Sequence, residues 1–158
     1  MAKETTCSGI NHKWTILCGS SSVDQKTNNV SLFNLVEQLS LDLKREDWEK
    51  AMSEGKKGFL VQTQFEVVTL WEREELKEEI LAEAEIRLID PKGNVLHNHP
   101  YHLNFPNQAK RHREHTVWSG VKLTQAGVYV FSINIKYPNS DHFHEVGTAD
   151  LLVNIKIN

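Results

Sequence analysis

Between Val128 and Tyr137 the chain alternates without a break. Tyr129, Phe131, Ile133, Ile135 and Tyr137 are apolar or aromatic, while Val128, Val130, Ser132, Asn134 and Lys136 between them grow steadily more polar. A two-residue period sends successive side chains to opposite faces of a β-strand. The first set therefore predicts a core-facing row and the second a row turned to solvent. The stretch just before it, Gly120 to Gly127, reads as a strand ending in a tight corner. A strand this regular needs partners on either side, and the rest of the chain can be laid out to supply them.

Several other segments keep the same period. Trp14, Ile16 and Cys18 alternate with Lys13, Thr15 and Leu17, and Gly19 with Ser20 to Ser22 is expected to end that strand. Phe59, Val61, Thr63, Phe65, Val67, Thr69 and Trp71 form one face of a strand whose other face is mostly polar, the pattern of a half-buried antiparallel strand. Ile80, Ala82, Ala84, Ile86 and Leu88 oppose Glu79, Glu83, Glu85 and Arg87. This run stops at Asp90-Pro91-Lys92-Gly93-Asn94, where Pro91 presets φ and Gly93 supplies a positive φ. Pro100 and Pro106 confine the next strand to Tyr101–Phe105, with Val95 and Leu96 a separate start. Arg111 to Leu123 leads into the corner, and Thr148 to Ile157 closes the chain with Ala149, Leu151, Val153, Ile155 and Ile157 facing in.

Two stretches differ. Val30 to Leu43 fits a helical stripe or a strand with a bulge near Glu37, and the surrounding β pattern favours the strand. Arg45 to about residue 54 suits a short helix that Gly55 would stop. Glu72 to Glu79, with five glutamates against Arg73 and Lys77, reads as a solvated connection. The sum is an all-β protein: an antiparallel β-sandwich of eight or nine strands with one short helix. Residues 1–12 are expected to be a flexible tail and residues 13–158 a single domain.

Composition narrows the function classes. A net charge of -3 and a pI near 6.2 give no whole-molecule case for nucleic acid or an anionic membrane. No apolar run has the length of a membrane span, and Met1 to His12 contains no secretory signal. Cys7 and Cys18 are too few for a disulfide framework and read as reduced thiols. A cytoplasmic protein is expected.

The segment Leu123-Thr124-Gln125-Ala126-Gly127-Val128-Tyr129 resembles the corner before a late strand in immunoglobulin-like sandwiches, where a tyrosine hydroxyl bonds back to the backbone. Gly127 and Tyr129 are thus structural candidates. Ile16-Leu17-Cys18, Asn29 to Asn34, Val67 to Trp71, Arg87 to Asn94 and Gly127 to Phe131 together are similar to a small bacterial family known as a domain of unknown function. That resemblance spans roughly residues 14–157. It implies an immunoglobulin-like or C2-like sandwich and carries no catalytic residue with it.

Candidate chemistry centres on histidine. Seven of the eight lie between residues 97 and 144. His97 with His99, and His142 with His144, have the i, i+2 spacing that puts both rings on one strand face, a spacing suited to Zn²⁺. Lys110, Arg111 and Arg113 form a short basic run, a candidate contact for phosphate or an acidic partner that a solvated strand edge also explains. Trp48, on the short helix among charges, is a candidate partner anchor. No nucleophile elbow or phosphate-binding loop is present. The leading expectation is a non-enzymatic accessory module without a cofactor, contacting a protein partner or another copy of itself. The alternative is a zinc-binding protein using the histidine-rich segments.

Overall fold

The computed structural model describes residues 9–53, 58–75 and 78–158. Among them are nine strands: β1 (Ile10–Val23), β2 (Val30–Leu35), β3 (Gln38–Leu43), β4 (Phe59–Arg73), β5 (Ile80–Ile89), β6 (Val95–Phe105), β7 (Arg111–Leu123), β8 (Gly127–Lys136) and β9 (His144–Ile157). One helix, α1 (Arg45–Ser53), joins β3 to β4. The strands form a four-stranded sheet in the order β2-β1-β4-β7 and a five-stranded sheet in the order β3-β9-β8-β5-β6. The inward rows of the two sheets meet in one core. Gly55 and Cys7 lie outside the described residues.

The alternating stretch is the middle of the larger sheet. β8 pairs with β5 on one side and β9 on the other, and Tyr129, Phe131, Ile133 and Ile135 are fully buried. Phe65 of β4 and Trp118 of β7 both meet Phe131 edge-to-face, with ring centroids 5.9 and 5.1 Å apart. Such pairs each add about 0.5–1.5 kcal/mol beyond the area they bury. The opposite row departs from expectation, because Ser132 and Asn134 are buried as well. Asn134 donates its amide to Ser132, whose hydroxyl donates to Glu145. On a central strand, long neighbouring side chains close over short polar ones.

Five other expectations are corrected. β1 starts at Ile10, inside the span read as a tail, because Ile10 is itself core, and residues 1–8 lie outside the described set. It then continues through Gly19 and the serines, since Val23 pairs with Val30 in a hairpin with β2. The Val30 to Leu43 stretch is two strands, β2 in one sheet and β3 in the other. Asn34, at φ 54°, and the bond from Val36 N to Leu17 O mark the place where the chain changes sheets. β3 then runs parallel to β9, an exception to the antiparallel rule. Finally, β6 runs unbroken through Pro100. It is an edge strand, where a missing N–H is tolerated.

The β5–β6 turn is organised by Asp90. Its Oδ1 accepts from Lys92 N (2.9 Å) and Asn94 N (2.8 Å), and Gly93 takes a φ of 88°. Burial pushes the Asp90 carboxyl up, but the hydrogen bonds from Asn94 and Lys92 outweigh it and leave the pKa below the usual carboxylate value. A depressed folded pKa means that the unfolded chain takes the proton first. The stabilisation is therefore complete above about pH 4 and is lost as pH falls through the folded value. We expect Asp90→Asn to lower the melting temperature at pH 7 and the gap to the parent to narrow below pH 4, read from thermal scans in matched buffers. A gap constant from pH 7 to pH 2 would refute this role for the ionised carboxylate.

Candidate functional site

Two edge strands, one from each sheet, lie side by side. β6 ends the five-stranded sheet and β7 the four-stranded sheet, and residues 106–110 connect them. At the connected end they are held together. His112 Nδ1 is 3.1 Å from Asn104 O, and the Phe105 and His112 rings are 6.0 Å apart. Away from that end the strands enclose a cleft of about 250 Å³. From the inward row of β6, His97 and His99 look across it toward Thr116 and Trp118 of β7, while Tyr101 and Glu114 continue the two rows toward the connected end, outside the cleft lining. This follows from the register, since His97, His99 and Tyr101 lie opposite the buried Leu88, Ile86 and Ala84.

The seam is unusually polar for a sandwich interior. Trp71 Nε1 donates to Tyr101 OH at 3.2 Å. Burial pushes the Tyr101 phenol upward against that bond, and the Glu114 carboxylate adds to the rise, so the phenol stays neutral at pH 7. The His97 ring meets Trp118 edge-on at 5.2 Å and 84°. Beneath it, Trp118 Nε1 and Thr116 Oγ1 are shielded from water and have no hydrogen-bond partner among the described residues. Both residues are more than nine-tenths buried, at 7% and 6% exposure. Leaving such a group unpaired costs about 1–3 kcal/mol, so two orphans in the wall of one cleft need a reason.

The residues proposed from sequence are placed as follows. His97 and His99 share the inward face of β6. The His142 and His144 rings are 4.4 Å apart at the β8–β9 turn, where His142 Nδ1 is 2.9 Å from Asp141 Oδ1 and His144 Nε2 is 3.2 Å from Ser140 Oγ. β5 and β8 separate β6 from β9, a span of roughly 14 Å by strand spacing, so the two histidine pairs do not meet. Among the described residues, no group of three or more His, Cys, Asp or Glu is placed to hold a metal ion. Arg111 pairs with Glu72 at 3.0 Å, Arg113 donates to Asn28 O at 2.9 Å, and Lys110 is exposed. The Asn28 contact, with Ser21 Oγ to Glu66, lays the β1–β2 hairpin over the outer face of the smaller sheet, where Val68 and Leu70 are buried. Trp48 is half-buried on α1, which has no fully buried residue. Thr116, Tyr101 and Glu114 escaped the sequence reading. Their signal was the period-2 row His112, Glu114, Thr116, Trp118, which means little until β6 is known to run opposite it through Pro100.

Where β7 ends, the chain crosses to β8 around Tyr129. Its buried phenol accepts from Thr124 N (2.9 Å) and Gln125 N (3.1 Å) and donates to Gln125 O (2.8 Å). The two packed sheets and this tyrosine-locked crossover decide the architecture. The chain is an immunoglobulin-like β-sandwich. No family model matches it, and no curated protein does. Among solved structures it is similar to an immunoglobulin-like protein from Pseudomonas aeruginosa, at 6% identity and TM-score 0.38 over 93% of this chain and 98% of that one. It is also similar to a β-glucuronidase from glycoside hydrolase family 2, at 15% identity and TM-score 0.43 over 61% of this chain. A family 123 glycoside hydrolase from Clostridium perfringens gives 8% identity and TM-score 0.38 over 96% of this chain. The sandwich spans only 11% and 28% of those two hydrolases. No helix among the described residues is long and apolar enough to cross a membrane.

Proposed function

We propose that this sandwich is a non-enzymatic interaction module that takes an extended segment of a protein partner along the free edge of β7. The observation that carries the reading is the uneven protection of that edge. β7 has 13 residues and pairs only with β4 among the described residues. Its first half carries Arg111, Arg113 and Glu114, charges of the kind that keep edge strands from pairing. From Thr116 to Val121 there is no charge, and Val117 is 56% exposed. Leu60, on the neighbouring β4, is 59% exposed. A charge-free edge beside exposed aliphatic side chains suits strand addition, with the bulge at Gly120 setting its far limit. The cytoplasmic setting goes with the reading, in keeping with the free, buried thiol of Cys18.

A photo-crosslinking residue at Val117 tests this, with one at Phe33 on β2, also exposed, as the control. In cells, Val117 should give a discrete crosslinked species that Phe33 does not, and Ser119→Lys, adding an edge charge, should reduce its yield severalfold. Identical patterns at the two positions, or a yield indifferent to Ser119→Lys, would remove the β7 edge as the contact. A second copy of this chain as the captured species would make the module self-associating.

A further inference from the structure

We infer that the cleft between β6 and β7 binds a carboxylate carried on a small apolar group. Its wall is rich in donors. Trp118 Nε1 can only donate, and Thr116 Oγ1 and the His97 and His99 rings each offer an O–H or N–H. No aspartate or glutamate is among the described residues that line it. A group with two acceptor oxygens and no hydrogen of its own matches that wall, whereas an alcohol or amide sets a donor against donors. Leu88, Leu96 and Val121 supply apolar surface for the attached carbon frame. At about 250 Å³ the space suits a group the size of a benzoate ring or a leucine side chain.

The orphaned atoms give the site its logic. Trp118 Nε1 and Thr116 Oγ1 are polar, shielded and unpartnered among the described residues, in the wall of the same cleft. His97 is exposed and lies edge-on against Trp118, and the His99 ring stands 6.4 Å from the same indole, so both imidazoles border Trp118 on the cleft side. The carboxylate has two possible sources, a free small acid or the C-terminus of a peptide. Neither requires strand addition at β7, although Thr116 to Val121 belong both to the cleft wall and to the proposed edge.

The test is NMR titration of the ¹⁵N-labelled full chain, following the indole N–H signals of its four tryptophans, with Trp118→Phe to assign one of them. The probes are benzoate against benzamide, and an acetylated Ala-Ala-Leu peptide with a free against an amidated C-terminus. Benzoate or the free-acid peptide should move the Trp118 indole signal to saturation, at least about tenfold more tightly than its neutral counterpart. Thr116→Val, which keeps the side-chain shape, should weaken that binding about tenfold. A response to benzoate marks a free acid as sufficient, and a response to the peptide acid alone marks a chain terminus. The inference is overturned if neither acid moves the Trp118 signal, if the neutral probes bind equally well, or if Thr116→Val leaves the affinity unchanged. The titration is read on the isolated chain and the crosslink in cells, so carboxylate binding and the fate of the β7 edge are decided by separate experiments.

Discussion

Arg73→Met should cost about 3–5 kcal/mol, the largest loss expected from a single substitution in this chain. Arg73 is 1% exposed at the end of β4, and its guanidinium lies 5.7 Å over the Phe105 ring. Its three nitrogens serve three loop carbonyls: Nε donates to Ala109 O, Nη1 to Glu78 O and Nη2 to Pro106 O. Methionine fills a similar length but leaves all three carbonyls without their donor. Arg73→Lys should recover only a minority of the loss, because a single ammonium cannot match a planar fork aimed at three acceptors. In a domain of this size the methionine variant should melt roughly 10 °C lower or more. Urea midpoints with unchanged slopes would give the free energies. A loss under about 1 kcal/mol would mean that water already satisfies these carbonyls. The effect reaches the seam too, since Pro106 and Ala109 belong to the segment joining β6 to β7. Loosening it frees the end where the cleft is held shut.

Arg73 also shows where the sequence misleads. Read among five glutamates it belongs to a solvated connection, yet its parity with Trp71 and Thr69 puts it on the inward row of β4. Periodicity outranks composition here, because a long strand keeps its side-chain alternation into a charged stretch. The same principle made β4, β5 and β8 readable, since each buries one face against the other sheet. It failed at Pro100, where a residue that breaks a central strand is harmless on an edge, and at Val30–Leu43, where a strand apolar on both faces serves two sheets in turn. The seam stayed hidden for a related reason. His97 and His99 are visible as a spacing, but their partner is Trp118 on β7 and not His142 or His144, and no local pattern says which edges lie side by side. Only the strand order does. The period-2 row turns Thr116 inward, but nothing in the sequence says that its hydroxyl is left without a partner.

Tyr129→Phe should cost about 2 kcal/mol, less than the loss of Arg73 although the phenol makes four hydrogen bonds to the guanidinium's three. The difference lies in what remains exposed to water. Tyr129 is fully buried, but Thr124 and Gln125 are only half-buried, so water can replace part of what the phenol oxygen supplied. A second change at the same corner works through shape. Gly127 has a φ of 134°, and a Cβ there would lie 2.9 Å from Pro91 Cγ in the β5–β6 turn. Gly127→Ala should therefore lose about 2–3 kcal/mol, part from a backbone conformation that alanine resists and part from the collision. Pro91→Gly removes the obstructing ring, so a double-mutant cycle should show Gly127→Ala costing less in that background, by the collision alone. Full additivity would mean that the two segments do not press on each other as the geometry requires. Full rescue would mean that backbone strain contributes nothing. A partial rescue fixes the corner as a three-way contact, with Tyr129 tying the β7–β8 crossover and Gly127 seating the Asp90 turn against it. That contact sets the end of β7 opposite β6, and the width of the cleft's open end depends on it.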